Sequence, residues 1–376
     1  MDFVLETFDT FILDRLYAAA LPIHTAVSQF EPISTIAASI KGYDANATWD
    51  TAATVGGGEF ARSGWQFSPA SQYWNAQPSE YAWMSRWERD NIYRQFISLY
   101  LLTSLFGTLI YFFCSTLSYI FIFDKTTFQH PKYLKNQVRM EIKQAMESLP
   151  TIAIFTALFF LAEIRGHSFI YDQIKDFDHP IFSIFGSAWN WLQFPAFFMF
   201  TDCGIYWIHR ALHHPIFYKR LHKPHHKWIM PTPFAAIAFH PVDGFSQSIP
   251  YHVFPFIFPL QKFAYIALFA FIQIWTVMIH DGEYVANSPI INGAACHTMH
   301  HLYFNYNYGQ FTTLWDRLGG SYRKPNDELF KKESKMSQAE WERQKKEMER
   351  MVVEVEGKDD RSYGPDESFA SAKKVQ

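Results

Sequence analysis

Nine histidines in three tight groups carry the chemistry this chain can do: His209, His213 and His214; His222, His225 and His226; and His297, His300 and His301. Twelve of the sixteen histidines lie between His209 and His301. Neutral imidazole is the commonest metal ligand and suits iron, zinc and copper. Grouping at ligand spacing marks a metal site, where scattered histidines would mark core or surface. Nine nitrogens exceed what one ion can hold while keeping a position open for substrate. Two ions, each with about four or five protein nitrogens, are the expectation. His280, in Ile279-His-Asp-Gly282, is the next candidate ligand. His240, in Phe239-His-Pro-Val-Asp243, is a further metal ligand or an outer partner of one. Asp243, Asp281 and Asp316 are placed to hold the second nitrogens of ligand imidazoles, against a default role in turns and caps. His24, His130, His167, His179 and His252 read as structural or surface residues.

Proline placement says how each group can point. His209 and His213 are one helical turn apart on the same face, and Pro215 ends that helix because the residue before a proline is pushed out of helical geometry. Pro224 interrupts the second group and suits the first turn of a new helix, so His225 and His226 open one while His222 precedes it. The third group fits one helix after the turn at Asn292-Gly293.

The elements that must carry these groups are apolar and long. Phe96 to Phe123 is 28 residues without a charge, about 42 Å of helix against a hydrocarbon core of about 30 Å. Leu149 to Ala162, bounded by Pro150, is a second expected span. Pro180 to Ile208, charged only at Asp202, is a third that runs straight into His209. Ile249 to Ile279 is broken by Pro255, Pro259 and Gln261-Lys262, and reads as a helical hairpin returning to its own side. The expected fold is therefore an all-α integral membrane protein of about four transmembrane helical units with a cytoplasmic, histidine-rich di-metal cap. Its expected division is residues 1–95 as a lumenal or interfacial segment, 96–330 as the catalytic membrane domain and 331–376 as a charged cytoplasmic tail.

Loop charge sets the direction. Lys125, Lys132, Lys135, Arg139 and Lys143 lie between the first two spans, and Arg210, Lys219, Arg220, Lys223 and Lys227 follow the third. These loops are expected in the cytoplasm. All three histidine groups then share one face only if Ile249 to Ile279 is a hairpin. Asn46-Ala-Thr48 is a glycosylation triplet on the other side. The N-terminus is no signal peptide; Val4, Leu5, Phe8, Phe11 and Ile12 fall at helical spacing, as in a helix lying on a membrane surface. Ser337-Gln-Ala-Glu340 is a capping box opening a charge-rich helix, which reads as solvated. Lys373-Lys374 resembles a dilysine retrieval signal of the endoplasmic reticulum. A net charge of -3 without a basic face excludes a nucleic-acid partner. The three cysteines, Cys114, Cys203 and Cys296, have no paired spacing, which excludes a disulfide framework or thiolate metal site.

From Asp202 to about Arg323 the text resembles the fatty acid hydroxylase superfamily of membrane di-iron proteins, and within it the sterol C5-desaturases of fungi. The resemblance covers His209 to Pro215, Tyr218 to Trp228, Pro231 to Phe234, Phe239 to Gly244, Tyr251-His252, Ile279 to Gly282, Asn292 to His297, Tyr306 to Gln310 and Leu314 to Gly320. It implies the three histidine groups as iron ligands and a desaturation of a Δ7-sterol between carbons 5 and 6. It further implies dioxygen as co-substrate, and electrons relayed from NAD(P)H through a reductase and cytochrome b5, in the endoplasmic reticulum membrane. One position departs: many relatives carry histidine where Thr232-Pro-Phe-Ala-Ala-Ile237 places Ile237. The histidine groups alone would also fit a sterol C4-methyl oxidase or lipid hydroxylase of the superfamily. A membrane metal-binding or transport protein is the non-enzyme alternative; it predicts polar spans, and charge is absent from Phe96 to Phe123.

Overall fold

The computed structural model describes residues 1–23, 65–173, 178–285, 287–331 and 337–363. His24, Asn46, Lys373 and Lys374 lie outside the described residues. The chain forms two compact units, one of Met1–Leu101 with Phe160–Arg165 and one of Leu102–Phe159 with Gly166–Gln376.

In the smaller unit, α1 (Asp2–Phe8) passes through a π turn at Asp9–Leu13 into α2 (Asp14–Ala20). The helix expected from the apolar spacing forms, and its carboxylates turn inward. Glu6, Asp9 and Asp14 are buried beside Leu5 and Leu13, while Phe11, Ile12 and Leu16 face out. A charge leaves water only when it is met by a partner. Asp14 receives Arg89 at 2.5 Å and Arg94 at 2.6 Å, and Arg94 also reaches Asp9 at 2.7 Å. Glu6 accepts from the backbone N–H groups of Ala70 and Ala76. Phe11, Ile12 and Leu16 form the exposed apolar edge of this segment.

Among the described residues, two helices are long and apolar enough to cross a membrane: α3 (Ile92–Phe121), 30 residues, and α4 (Gln137–Ile164), 28 residues. The second begins well before the expected Leu149. Pro150 sits inside it instead of bounding it. Proline removes one ladder bond and costs about 3 kcal/mol in a helix interior, but ending the helix among apolar residues would strand more backbone groups than that.

In the larger unit, α5 (Trp189–Leu212) follows a short 3-10 helix at Phe182–Ala188. Then come α6 (Lys223–His226), α7 (Pro241–Ile257), α8 (Lys262–Met278), α9 (Ala294–Tyr303), α10 (Leu314–Leu318) and α11 (Gln338–Glu356). The break expected near Pro259 is real. It falls between α7 and α8, where β2 (Leu260–Gln261) pairs in parallel with β1 (Ile170–Tyr171), and Trp189 donates from Nε1 to the Pro259 carbonyl at 2.9 Å. Side chains join the two arms, with the Tyr251 and Phe269 rings 5.7 Å apart.

The segment between the second histidine group and α7 is pinned to α3 and α4. Tyr111 and Ser115 donate to the carbonyls of Phe234 and Pro233 at 2.9 and 3.0 Å. Gln137 donates to Met230 O at 2.8 Å, and the buried Glu141 accepts from the Thr232 backbone at 3.2 Å. The helix opened by the capping box is the largest correction. Ser337 does cap it, accepting from the Glu340 N–H at 3.3 Å. Yet α11 is not solvated: Met348, Met351 and Val352 are buried in one cluster with Met299, Leu302 and Tyr303 of α9. Its charges mark the outward face of a docked helix.

α5 and α7 pack through a missing side chain. A Cβ on Gly204 would stand 2.6 Å from Pro250 Cγ. Gly204→Ala is expected to overpack this contact and cost about 1–3 kcal/mol, seen as a lower midpoint for thermal loss of the monodisperse peak of detergent-solubilised protein.

Candidate metal centre

Helix ends deliver the ligands. α5 closes on His209 and His213, and its last apolar turn buries both. His222 ends a π turn at Tyr218–His222 that runs without a break into α6. Pro224 is in the first turn of α6 but does not interrupt the second group as expected, because the π turn carries the helical backbone into it. His297, His300 and His301 share α9, every residue of which is buried. His280 stands just beyond the end of α8.

These side chains form two groups. His209, His213, His222, His226 and His300 make one, and His225, His280, His297 and His301 the other; within each, one ligand nitrogen per residue lies within 4.8 Å of all the others. Imidazole nitrogens bind a transition ion at about 2.0–2.1 Å. Neighbouring ligands at a right angle then stand about 3.0 Å apart and opposed ones about 4.2 Å. The Nε2–Nε2 separations are 3.1 Å for His209–His222, 3.0 Å for His226–His300, 2.9 Å for His280–His297 and 3.1 Å for His297–His301.

The outer nitrogens test whether an ion fits. His209 Nδ1 faces the Tyr308 carbonyl at 3.0 Å, and His222 Nδ1 faces Asp243 Oδ2 at 2.8 Å. Both acceptors require Nδ1–H, which leaves both Nε2 atoms as bare lone pairs. Two bare lone pairs at 3.1 Å do not hydrogen-bond; a cation between them turns repulsion into ligation. His300 Nδ1 faces Tyr306 O at 2.7 Å and His280 Nδ1 faces Thr276 O at 2.6 Å, so their Nε2 atoms are bare as well. Both nitrogens of His213 and the Nδ1 atoms of His225, His226 and His301 are buried without a hydrogen-bond partner, a cost that ligation relieves for those turned to an ion. Burial first, and the neighbouring imidazoles second, push His225, His226, His297 and His301 well below the ordinary histidine range. Burial alone brings His280 down to about 4, opposed by its bond to Thr276. The rings are held neutral, as metal ligands must be.

Not every expected site residue is here. His214 is outside both groups: Pro215 forces it extended, and its exposed ring accepts from the Ile216 N–H at 3.4 Å. His240 also caps a helix, accepting from the Val242 N–H at the start of α7 at 3.2 Å. Asp243 takes the expected outer role, on His222. Asp281 accepts from the Glu283 N–H at 2.8 Å, as in a turn. Asp316 acts one step further out, binding the N–H groups of Tyr308 and Gly309, both at 2.8 Å, and so fixing the carbonyl that holds His209. Ile237 adds no ligand; it packs against Tyr111, Ala145 and Phe234. His130, His179 and His252 bond to groups outside the centre.

Other residues that fix the centre carry no ligand signature. Asp202, the one charge in its apolar stretch, accepts from the N–H groups of Gln310, Phe311 and Thr312 at 3.0, 2.8 and 3.1 Å. The carbonyls of Thr276, Tyr306 and Tyr308 are backbone and invisible to residue type.

The fatty acid hydroxylase family model matches residues 194–321, which hold both ligand groups. A Delta(7)-sterol 5(6)-desaturase of Aspergillus fumigatus is 60% identical over 363 residues, 96% of this chain and 97% of that protein. That of Leptosphaeria maculans is 55% identical over 376 residues, the full length of both. That of Candida albicans is 46% identical over 390 aligned residues, 96% of this chain and 99% of that protein. No solved structure matches.

The two groups separate the histidines experimentally. His213→Ala and His280→Ala should each reduce the metal bound per chain, measured by plasma mass spectrometry of purified protein, while His214→Ala should leave it at the wild-type level. Asp243→Ala should weaken metal affinity about 10–100-fold with all ligands still present.

Proposed function

We infer the function from one premise: the chain belongs to the Delta(7)-sterol 5(6)-desaturase family of the fatty acid hydroxylase superfamily. It is an oxidoreductase that introduces the double bond between carbons 5 and 6 of a Δ7-sterol. The observation that carries this reading is identity along nearly the whole chain to sterol desaturases, with two sets of converging imidazoles present in this chain.

The ions are two irons, one per ligand group. Bound iron would supply the chemistry no side chain has, reductive activation of dioxygen to an oxidant able to take hydrogen from an unactivated C–H bond. The reaction balances as one sterol, one dioxygen, two electrons and two protons giving one diene and two waters. The protein's part is placement. Tyr308, Asp243, Tyr306 and Thr276 fix the ring faces of His209, His222, His300 and His280. The packed α9 cluster excludes water behind the third histidine group. No acid or base beyond the ligands is required of the side chains around the centre.

The electrons come from NAD(P)H through a reductase and cytochrome b5, and the sterol comes from the bilayer. The chain sits in the endoplasmic reticulum membrane with residues 96–330 as its catalytic domain, residues 1–95 lumenal or interfacial and residues 331–376 cytoplasmic. α3, α4, α5 and the hairpin of α7 and α8 are its four membrane units, and the centre faces the cytoplasm. Lysine and arginine in the loops after α3 and α5 support this direction. The hairpin supports it too, since Asp243 near its start and His280 at its end both reach the centre.

Purified protein given a Δ7-sterol, NADH, reductase and cytochrome b5 is expected to form the 5,7-diene with consumption of one dioxygen per product. A fully metallated preparation that yields only a hydroxylated or 4-demethylated sterol would overturn the assignment.

A further inference from the structure

α6 is the last turn of a continuous helical run from Pro215, and it gives His225 to one ligand group and His226 to the other. The position of this turn therefore fixes a ligand of each ion. The last carbonyls of that run have no partner within it.

The His226 carbonyl finds one far down the chain. Arg361 donates to it from Nη2 at 3.0 Å. Arg361 is itself fixed by Glu356, with Nη2 at 2.6 Å from Oε1 and Nη1 at 3.0 Å from Oε2. Both side chains are almost wholly buried, at 1% and 0% exposure. Glu356 also accepts from the Tyr218 hydroxyl at 2.8 Å and meets Lys223, the first residue of α6, at 3.2 Å. The Tyr218 ring lies 5.5 Å from that of His213 and 5.8 Å from that of His226. Gly357, at φ +83°, makes the left-handed reversal that returns Arg361 past the end of α11. One carboxylate–guanidinium pair thus grips α6 at both ends. Charge-assisted bonds with fork geometry are the directional kind.

We propose that Arg361, locked on Glu356, is a positioning residue of the metal centre: it holds the Lys223–His226 turn so that His225 and His226 face their two ions. The C-terminal segment through Arg361 is then part of the centre, not an appendage of it. The proposal rests on the two-ion reading above.

The test compares iron affinity, by competition with a graded chelator, and the Mössbauer spectrum of iron-loaded full-length protein. Arg361→Gln is expected to weaken iron binding about 10–100-fold and to change the spectrum of both ions. Arg361→Lys keeps the charge but not the fork, and should fall between Arg361→Gln and wild type. Glu349→Gln, on the same helix, removes an outer pair with Lys132 at 3.0 Å and should leave affinity and spectrum unchanged. Wild-type affinity and spectrum in Arg361→Gln, or an equal loss in Glu349→Gln, would show that the pair only docks the tail. If Arg361→Gln does not accumulate as folded protein, Arg361→Lys decides: wild-type affinity there overturns the proposal. If His213→Ala and His280→Ala also hold wild-type iron, the two-ion reading has failed, and the fault lies there.

Discussion

Nine imidazoles converge in a space that water does not reach, and their lone pairs point at one another. That is the constraint the rest of the molecule answers to. Neutral nitrogens about 3 Å apart are repulsive unless a proton or a cation stands between them. Burial removes the proton by making imidazolium costly, and the outer acceptors remove it a second time by claiming Nδ1–H. At His209 and His222 the outer acceptors are the Tyr308 carbonyl and Asp243. Apo protein would keep this strain; metal-loaded protein converts it to binding energy. Precision in the outer acceptors therefore matters as much as the ligands.

The helices can be read as devices for bringing unlike parts of the chain to that point. α9 is the clearest case: His297 and His301, one turn apart, serve one group, while His300 between them serves the other. A single helix thereby fixes the two groups in register. α5 brings His209 and His213 on one face, and α7 and α8 leave and return so that Asp243 and His280 arrive together. The loop at residues 306–312 supplies two of the carbonyl acceptors, and two buried carboxylates hold it, Asp202 from α5 and Asp316 from α10. Neither touches a ligand, yet Asp316 fixes the peptide whose carbonyl meets His209.

Much of this was legible before any coordinate. The three histidine groups, the helix end before Pro215 and the break near Pro259 follow from residue type and spacing. What spacing could not give was direction. His214 sits beside His213 in the text, but proline geometry turns it to solvent as a helix cap. His240 looks like a ligand for the same reason that it makes a good cap: an imidazole beside a proline can accept from the next N–H. Pro150 marks a boundary by local rules, because proline breaks helices, but α4 runs through it. The solvated reading of α11 failed because charge counts see the outward face alone. Met348, Met351 and Val352 recur at helical spacing on the other one.

Among the described residues, buried carboxylate–guanidinium pairs appear in two places, and comparison of the two separates packing from aim. In the smaller unit Asp14 joins Arg89 and Arg94, and an apolar set of equal volume would hold those helices as well or better, since ion pairs cost desolvation that packing does not. Glu356 and Arg361 have a different task. An apolar contact can fill the space beside α6, but it cannot point at the His226 carbonyl or distinguish a correct turn from one rotated by a few tenths of an ångström. A guanidinium can, because its donors are fixed in a plane. Where the last turn of a helix must give a histidine to each of two ligand groups, direction is the scarce property, and a buried fork is a way to supply it.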